Sequence, residues 1–154
     1  FSKTIGVNLP IYPVKGYSIT IPITEENQCP IHSGIDEDNL LAFSRFGNKL
    51  RFTAIAEISG YNNDYNPKDF NYILKSAKQI IPDGIDYSNI EYWTGLRPMT
   101  PRGTPILGYA KHSNLLYNTG HGHLGWTMAS GSAKIIADII AKRKTDIDIQ
   151  KLCP

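Results

Sequence analysis

The 154-residue sequence contains only two cysteines, Cys29 and Cys153, and two methionines. Two cysteines are too few for a disulfide framework and cannot form a zinc site alone, so a reducing compartment is the simpler reading. No apolar run approaches the ~20 residues that cross a bilayer. Neither charge sign dominates: 16 Lys and Arg against 14 Asp and Glu leave a net charge of +2. No basic block stands out, and nucleic-acid binding has no electrostatic support. There is no internal repeat and no low-complexity tract. No signal-peptide pattern opens the chain, and a start at Phe1 rather than Met leads us to expect a cut through a longer protein. What is present, 41% apolar and 10% aromatic residues, suits one globular domain with a core of its own.

Pro10, Pro13 and Pro22 exclude helix across residues 9–23. Tyr17, Ile19, Ile21 and Ile23 alternate there with Ser18, Thr20 and Pro22, the period of a half-buried strand. Residues 24–38 read as a loop, with a short strand expected at 29–33. Residues 40–46 and 49–56 are strand-like, and Gly47-Asn48 between them makes a hairpin. Asn66, Pro67 and Asp69 suit a helix start, and Phe70, Ile73, Leu74, Ala77, Ile80 and Ile81 follow at helical spacing. Pro82 and Gly84 end that helix. Strands are expected at 90–99, 104–107 and 114–117. The last helix is expected over 127–142, burying Ile135, Ile136, Ile139 and Ile140, with Ala129, Ala133 and Ala137 permitting close approach. The fold class is therefore α+β, a largely antiparallel sheet with one helix mid-chain and one at the end.

The chemistry concentrates in Gly120, His121, Gly122, His123, Leu124, Gly125, Trp126 and Thr127, between a strand and a helix. Three glycines in six residues let the backbone turn tightly and approach a ligand. The following helix aims free N–H groups and its positive dipole end at that ligand. The spacing predicts a pocket for a phosphate, a carboxylate or an anionic ring edge. A glycine-rich structural turn is the alternative. The glycines satisfy G-x-G-x-x-G, but no acidic residue ends a second strand ~20 positions on, so this is not a dinucleotide fingerprint. Asp138 is near in number, but it falls inside the helix.

Arg97 lies late in a strand among aromatic and apolar residues, where its fork matches a carboxylate bidentately. A structural ion pair is the alternative. His112, His121 and His123 lack a third ligand at metal spacing, so no metal is expected. The run Ser130-Gly131-Ser132 lacks a nucleophile elbow. Lys15, Tyr12, Tyr17 and Tyr61 are candidates for pocket lining.

Two motifs carry a resemblance. YWTGLRPMTPRGTPILG (92–108) and NLLYNTGHGHLGWTMASG (114–131) resemble the C-terminal portion of the bacterial D-amino acid dehydrogenase small subunits, in the D-amino acid oxidase superfamily. IYPVKGYSIT (11–20) and AEISG (56–60) agree, and the likeness spans residues 8–148. It implies FAD-dependent oxidation of a D-amino acid to an imino acid, which water hydrolyses to a 2-oxo acid and ammonia, with hydride passing from Cα to flavin N5. It implies that residues 1–98 form the substrate domain and 99–154 the flavin-facing segment. The N-terminal nucleotide-binding portion is then absent.

By the same resemblance, Arg97 binds the substrate carboxylate, with His123 and Tyr61 as further substrate-side candidates. Gly120 to Thr127 lies near the pyrimidine side of the flavin. No cysteine stands in Gly95-Leu96-Arg97, so FAD is expected to be non-covalent. No catalytic acid or base is implied if the substrate amine arrives neutral. The electron acceptor belongs to the respiratory chain, and the location is cytoplasmic, with peripheral association at the inner face of the membrane. Two rivals remain: a glycine-oxidase-like enzyme using oxygen, and a non-catalytic domain that binds small carboxylates. The isolated chain is expected to bind FAD poorly and to be inactive.

Overall fold

The computed structural model describes residues 2–153. Seven strands and two α-helices follow one another as β1 (Tyr12–Pro22), β2 (Gly34–Asp36), β3 (Leu41–Phe46), β4 (Lys49–Glu57), α1 (Asn71–Ile80), β5 (Glu91–Met99), β6 (Ile106–Tyr109), β7 (Leu116–Thr119) and α2 (Gly125–Ile140). The class is α+β. Five strands form one sheet in the order β2-β3-β4-β1-β5, and β6 pairs with β7 in a second. The pairings β1/β4, β2/β3, β3/β4 and β6/β7 are antiparallel. Val14–Leu96 forms one compact unit, and the described residues up to Pro13 and from Arg97 onward form another.

In the first unit, Tyr17, Ile19 and Ile21 of β1, Leu41 of β3, and Leu50, Phe52 and Ala54 of β4 meet Phe70, Ile73 and Ala77 from the α1 region. Burying each large side chain contributes roughly 1.5–3 kcal/mol. α1 starts as the sequence predicts. Asn66 accepts from the Lys68 amide at 3.0 Å and Asp69 accepts from the Asn66 amide at 2.8 Å, a reciprocal cap. The first turn, Pro67–Phe70, is 3₁₀, and the α-helix begins only at Asn71. The β3–β4 hairpin turns at Gly47-Asn48, with Phe46 opposite Lys49. The second unit has a smaller core of Val7, Ile106 and Tyr117.

Four expectations need correction. Residues 29–33 form no strand. The chain makes a 3₁₀ turn at Glu26–Gln28, and pairing starts only at Gly34, where β3 offers a partner. β1 is buried on both faces, not half-buried: Ser18 and Thr20 are buried, as are Ile19 and Ile21. The polar face is satisfied instead, because Arg51 Nε donates to Thr20 Oγ1 at 3.0 Å and Thr53 Oγ1 donates to Tyr17 O at 2.9 Å. β6 and β7 each begin two residues later than expected, where their mutual pairing sets the register.

The fourth correction concerns α2. The helix begins at Gly125, behind a 3₁₀ turn at Gly122–Leu124, and ends at Ile140. Its fully buried residues are Ser132 and Asp138; Ile135, Ile136 and Ile139 are half-buried and Ile140 is exposed. A helix apolar on most sides has no single stripe by which periodicity can choose the inward face.

Asp138 is tied down at this helix end. Lys134 Nζ and Arg143 Nε donate to it at 2.8 and 2.9 Å, and Lys134 also bridges to Asp146 at 2.8 Å. The bonds from Lys134 and then Arg143 hold the Asp138 carboxyl below its ordinary pKa, against the opposing effect of burial. A lowered folded-state value means that its stabilisation is full above the unfolded-state value of about 4 and is lost as pH falls through the folded one. Thermal unfolding between pH 7 and 3 will therefore show a shallower acid-side loss for Asp138→Asn than for wild type, from a lower starting point at pH 7. Equal acid slopes would refute this assignment.

Candidate active site

The loop singled out by its glycines is braced by two neighbours. Gly120 has φ +75° and Gly122 φ +57°, conformations in which a Cβ is strained. A Cβ on Gly120 would lie 2.7 Å from Thr100 Cγ2, and one on Gly122 would lie 2.7 Å from Met99 Sδ. The loop thus packs against the end of β5, two residues beyond Arg97. Torsion favours glycine at both positions, and contact with Thr100 or Met99 adds to it.

His121 fastens the other side of the loop. The buried Ser132 hydroxyl spends its one proton on Met128 O at 2.8 Å. Its 2.9 Å contact with His121 Nε2 must then have the ring donating. The neutral imidazole is therefore the Nε2–H tautomer, with Nδ1 left as the acceptor. Sequence reasoning missed the pairing of Ser132 with His121, because an eleven-residue separation across a loop-to-helix junction leaves no periodic signal.

No side chain caps the start of the Gly122–Leu124 turn or of α2. Trp126 is 97% exposed, and Leu124 and Thr127 are also exposed. This end of the helix offers backbone donors and a positive dipole with no side-chain oxygen spent on them. Such a donor set suits an anionic edge.

Arg97 is half-buried on β5. Burial pushes its guanidinium down from the ordinary value, but an arginine remains charged in proteins. Two positions before it, Gly95 makes room for an aromatic ring: a Cβ there would lie 2.1 Å from Trp93 Cη2. Arg97, His121, His123 and the glycine loop belong to one unit, and Tyr61 to the other. His123 is exposed, and Tyr61 is 85% exposed at the tip of the loop after β4. Tyr12 is partly exposed, whereas Lys15 and Tyr17 are buried together against β4. His112 Nε2 contacts Ile5 O at 3.0 Å. Among the described residues no three His, Cys, Asp or Glu side chains cluster as metal ligands, and no helix is long and apolar enough to cross a membrane.

The scaffold is shared with amino-acid-oxidising enzymes of known structure. Glycine oxidase from Geobacillus kaustophilus superposes with a TM-score of 0.83 over 99% of this chain and 41% of its own, at 21% identity. L-proline dehydrogenase from P. horikoshii gives 0.80 over 98% of this chain and 41% of its own, at 19% identity. At these identities the likeness is one of fold.

Sequence similarity identifies the family. The DAO family, described as FAD dependent oxidoreductase, matches residues 1–139, and the chain belongs to it. D-amino acid dehydrogenase 2 of Mesorhizobium japonicum is 48% identical over 150 residues, covering 97% of this chain and 36% of the relative. D-amino acid dehydrogenase of Agrobacterium fabrum is 43% identical over 152 residues, covering 99% of this chain and 36% of the relative. The chain thus spans little more than a third of the length of the curated relatives it matches.

Proposed function

We propose that this chain is the substrate-side and flavin-facing portion of an FAD-dependent dehydrogenase that oxidises D-amino acids to 2-oxo acids and ammonia. The observation that carries the reading is the packing of the uncapped glycine loop against the end of the strand that bears Arg97. The names of the relatives support the substrate class.

FAD, when bound, supplies the hydride acceptor. The residues present fit such a group: uncapped backbone donors would suit an anionic ring edge, and the loop around them packs on Met99 and Thr100. Gly120 to Thr127 would hold that edge. Donors held in place beforehand would favour negative charge on such a group. Arg97 holds the substrate carboxylate with its two-pronged donor and so sets the height of Cα. His123 and Tyr61 contribute on the substrate side. The attachment of FAD is non-covalent.

The portion 1–98 is the substrate domain in this reading, and the portion 99–154 faces the flavin. The exposed side of α2, with Ala129, Ala133, Ala137 and Ile140, packs on the nucleotide-binding portion of the complete protein. The chain by itself binds FAD poorly and is inactive. Electrons leave to a respiratory-chain acceptor, with the protein peripheral to the inner face of the cytoplasmic membrane.

The test uses the complete protein, purified without added cofactor and mixed anaerobically with D-alanine or L-alanine. Bleaching of the yellow flavin band by the D isomer alone is the expected result. A flavin that neither isomer bleaches overturns the substrate assignment, and a protein without flavin points to a small-carboxylate-binding domain. Rapid reoxidation of the bleached flavin by air would replace the respiratory acceptor with oxygen, as in a glycine-oxidase-like enzyme.

A further inference from the structure

Lys15 is buried in β1, with only 3% of its surface exposed. An ammonium is costly to bury unless it is paired and hydrogen-bonded. This one is both. Its Nζ donates to Asp64 O, faces Glu57 Oε2 at 3.6 Å, and lies 5.1 Å from the centre of the Tyr17 ring. The Tyr17 hydroxyl donates to the same Glu57 oxygen. Burial lowers the ammonium's pKa, but the hydrogen bond and charge effects of Tyr17 and then Glu57 outweigh it, and the net direction is upward.

The partners of Lys15 are not arbitrary. Glu57 is the last residue of β4, and Asp64 closes the segment that follows it. A bulge brings Glu57 into place: from Lys15 to Tyr17 β1 advances two residues, while from Ala54 to Glu57 β4 advances three. Ile55, inside the extra step, has φ +65°. A β-branched residue in that conformation costs energy and persists only where its surroundings require it. The returning leg is held again by Thr94 Oγ1, which donates to Asn63 O at 2.9 Å. Between the two legs, residues 58–63 carry Ile58 and Tyr61, which are 79% and 85% exposed. One buried ammonium therefore ties both ends of a loop whose apolar side chains face outward.

We propose that Lys15 is a positioning residue: by bonding Glu57 and the Asp64 carbonyl together it closes the neck of the 58–63 loop and holds Tyr61 at the substrate. The second half of this statement rests on the substrate-side reading of Tyr61. The first half does not.

The experiment compares wild type, Lys15→Met and Lys15→Arg in the complete flavoprotein. Methionine keeps the length and apolar stem but loses the charge and the donors. Hydrogen exchange in residues 58–64 should accelerate about tenfold or more in Lys15→Met, with little change across β3. KM for D-alanine should rise by about tenfold, with a smaller fall in kcat and an unchanged flavin spectrum. Lys15→Arg should recover part of both. Adding Tyr61→Ala to Lys15→Met should change KM far less than it does in wild type, because both remove one interaction.

A Lys15→Met protein that melts earlier but exchanges the loop at the wild-type rate overturns the proposal. So do KM effects of Lys15→Met and Tyr61→Ala that simply add. If Lys15→Met does not fold, Glu57→Gln takes its place: faster loop exchange supports the clamp, and wild-type exchange overturns it. The exchange measurement needs no substrate, so failure of the D-amino acid reading leaves the clamp to be decided separately.

Discussion

Arg97→Met in the complete flavoprotein will lower kcat/KM for D-alanine by about 10²–10³-fold. Two charge-assisted bonds from one guanidinium are worth about 1.5–3 kcal/mol each in net terms, and part of this survives through the substrate's other contacts. A net loss of about 3–4 kcal/mol corresponds to that factor at 1.4 kcal/mol per decade. Arg97→Lys should lose less, because a point charge keeps the attraction but not the fork. The flavin content of both variants should stay at the wild-type level, since Met99 and Thr100 brace the loop. A change in kcat/KM below about threefold for Arg97→Met, about 0.6 kcal/mol, would remove Arg97 from the site.

The largest expected loss of stability is at Phe70. Its ring is fully buried where the 3₁₀ turn passes into α1. Around it stand Tyr92 of β5 at 4.8 Å, Tyr17 of β1 at 5.2 Å and Tyr65 of the preceding loop at 5.4 Å between ring centroids. Edge-on and tilted pairs of this kind add about 0.5–1.5 kcal/mol each beyond simple burial. Phe70→Ala removes all three and opens a cavity between helix and sheet, so a loss of about 3–5 kcal/mol is expected. Urea unfolding followed by far-ultraviolet circular dichroism measures it, with Phe70→Leu as the milder companion. A loss below about 1 kcal/mol for Phe70→Ala would mean that the cluster is not what joins α1 to the sheet.

The parts of the fold legible in the sequence are those with a local cause. Gly47-Asn48 marks the β3–β4 turn because two residues suffice to reverse the chain there. Asn66, Pro67 and Asp69 mark the start of α1 because capping needs only neighbours within one turn. The candidate loop at residues 120–127 was visible for the same reason, since closely spaced glycines and a following helix are local facts. The family could be read from the two motifs at 92–108 and 114–131 without any structure.

What lay outside the sequence's reach depends on partners distant along the chain. Ser18 and Thr20 are buried on the polar side of β1, where Arg51 of β4 donates to Thr20. The inward turn of Ser132 and Asp138 on α2 followed from hydrogen-bond partners, whereas hydropathy alone pointed to the isoleucines. The tautomer of His121 is set by a serine eleven residues away. Lys15 meets Glu57 and Asp64 only because a bulge shifts the register of β4 by one residue. The sequence by itself determined where the chain turns, caps and bends, because those events are decided within a few residues. Only the tertiary structure decided which faces are buried and which charges are paired. Burial and pairing are bargains between segments that meet only after folding.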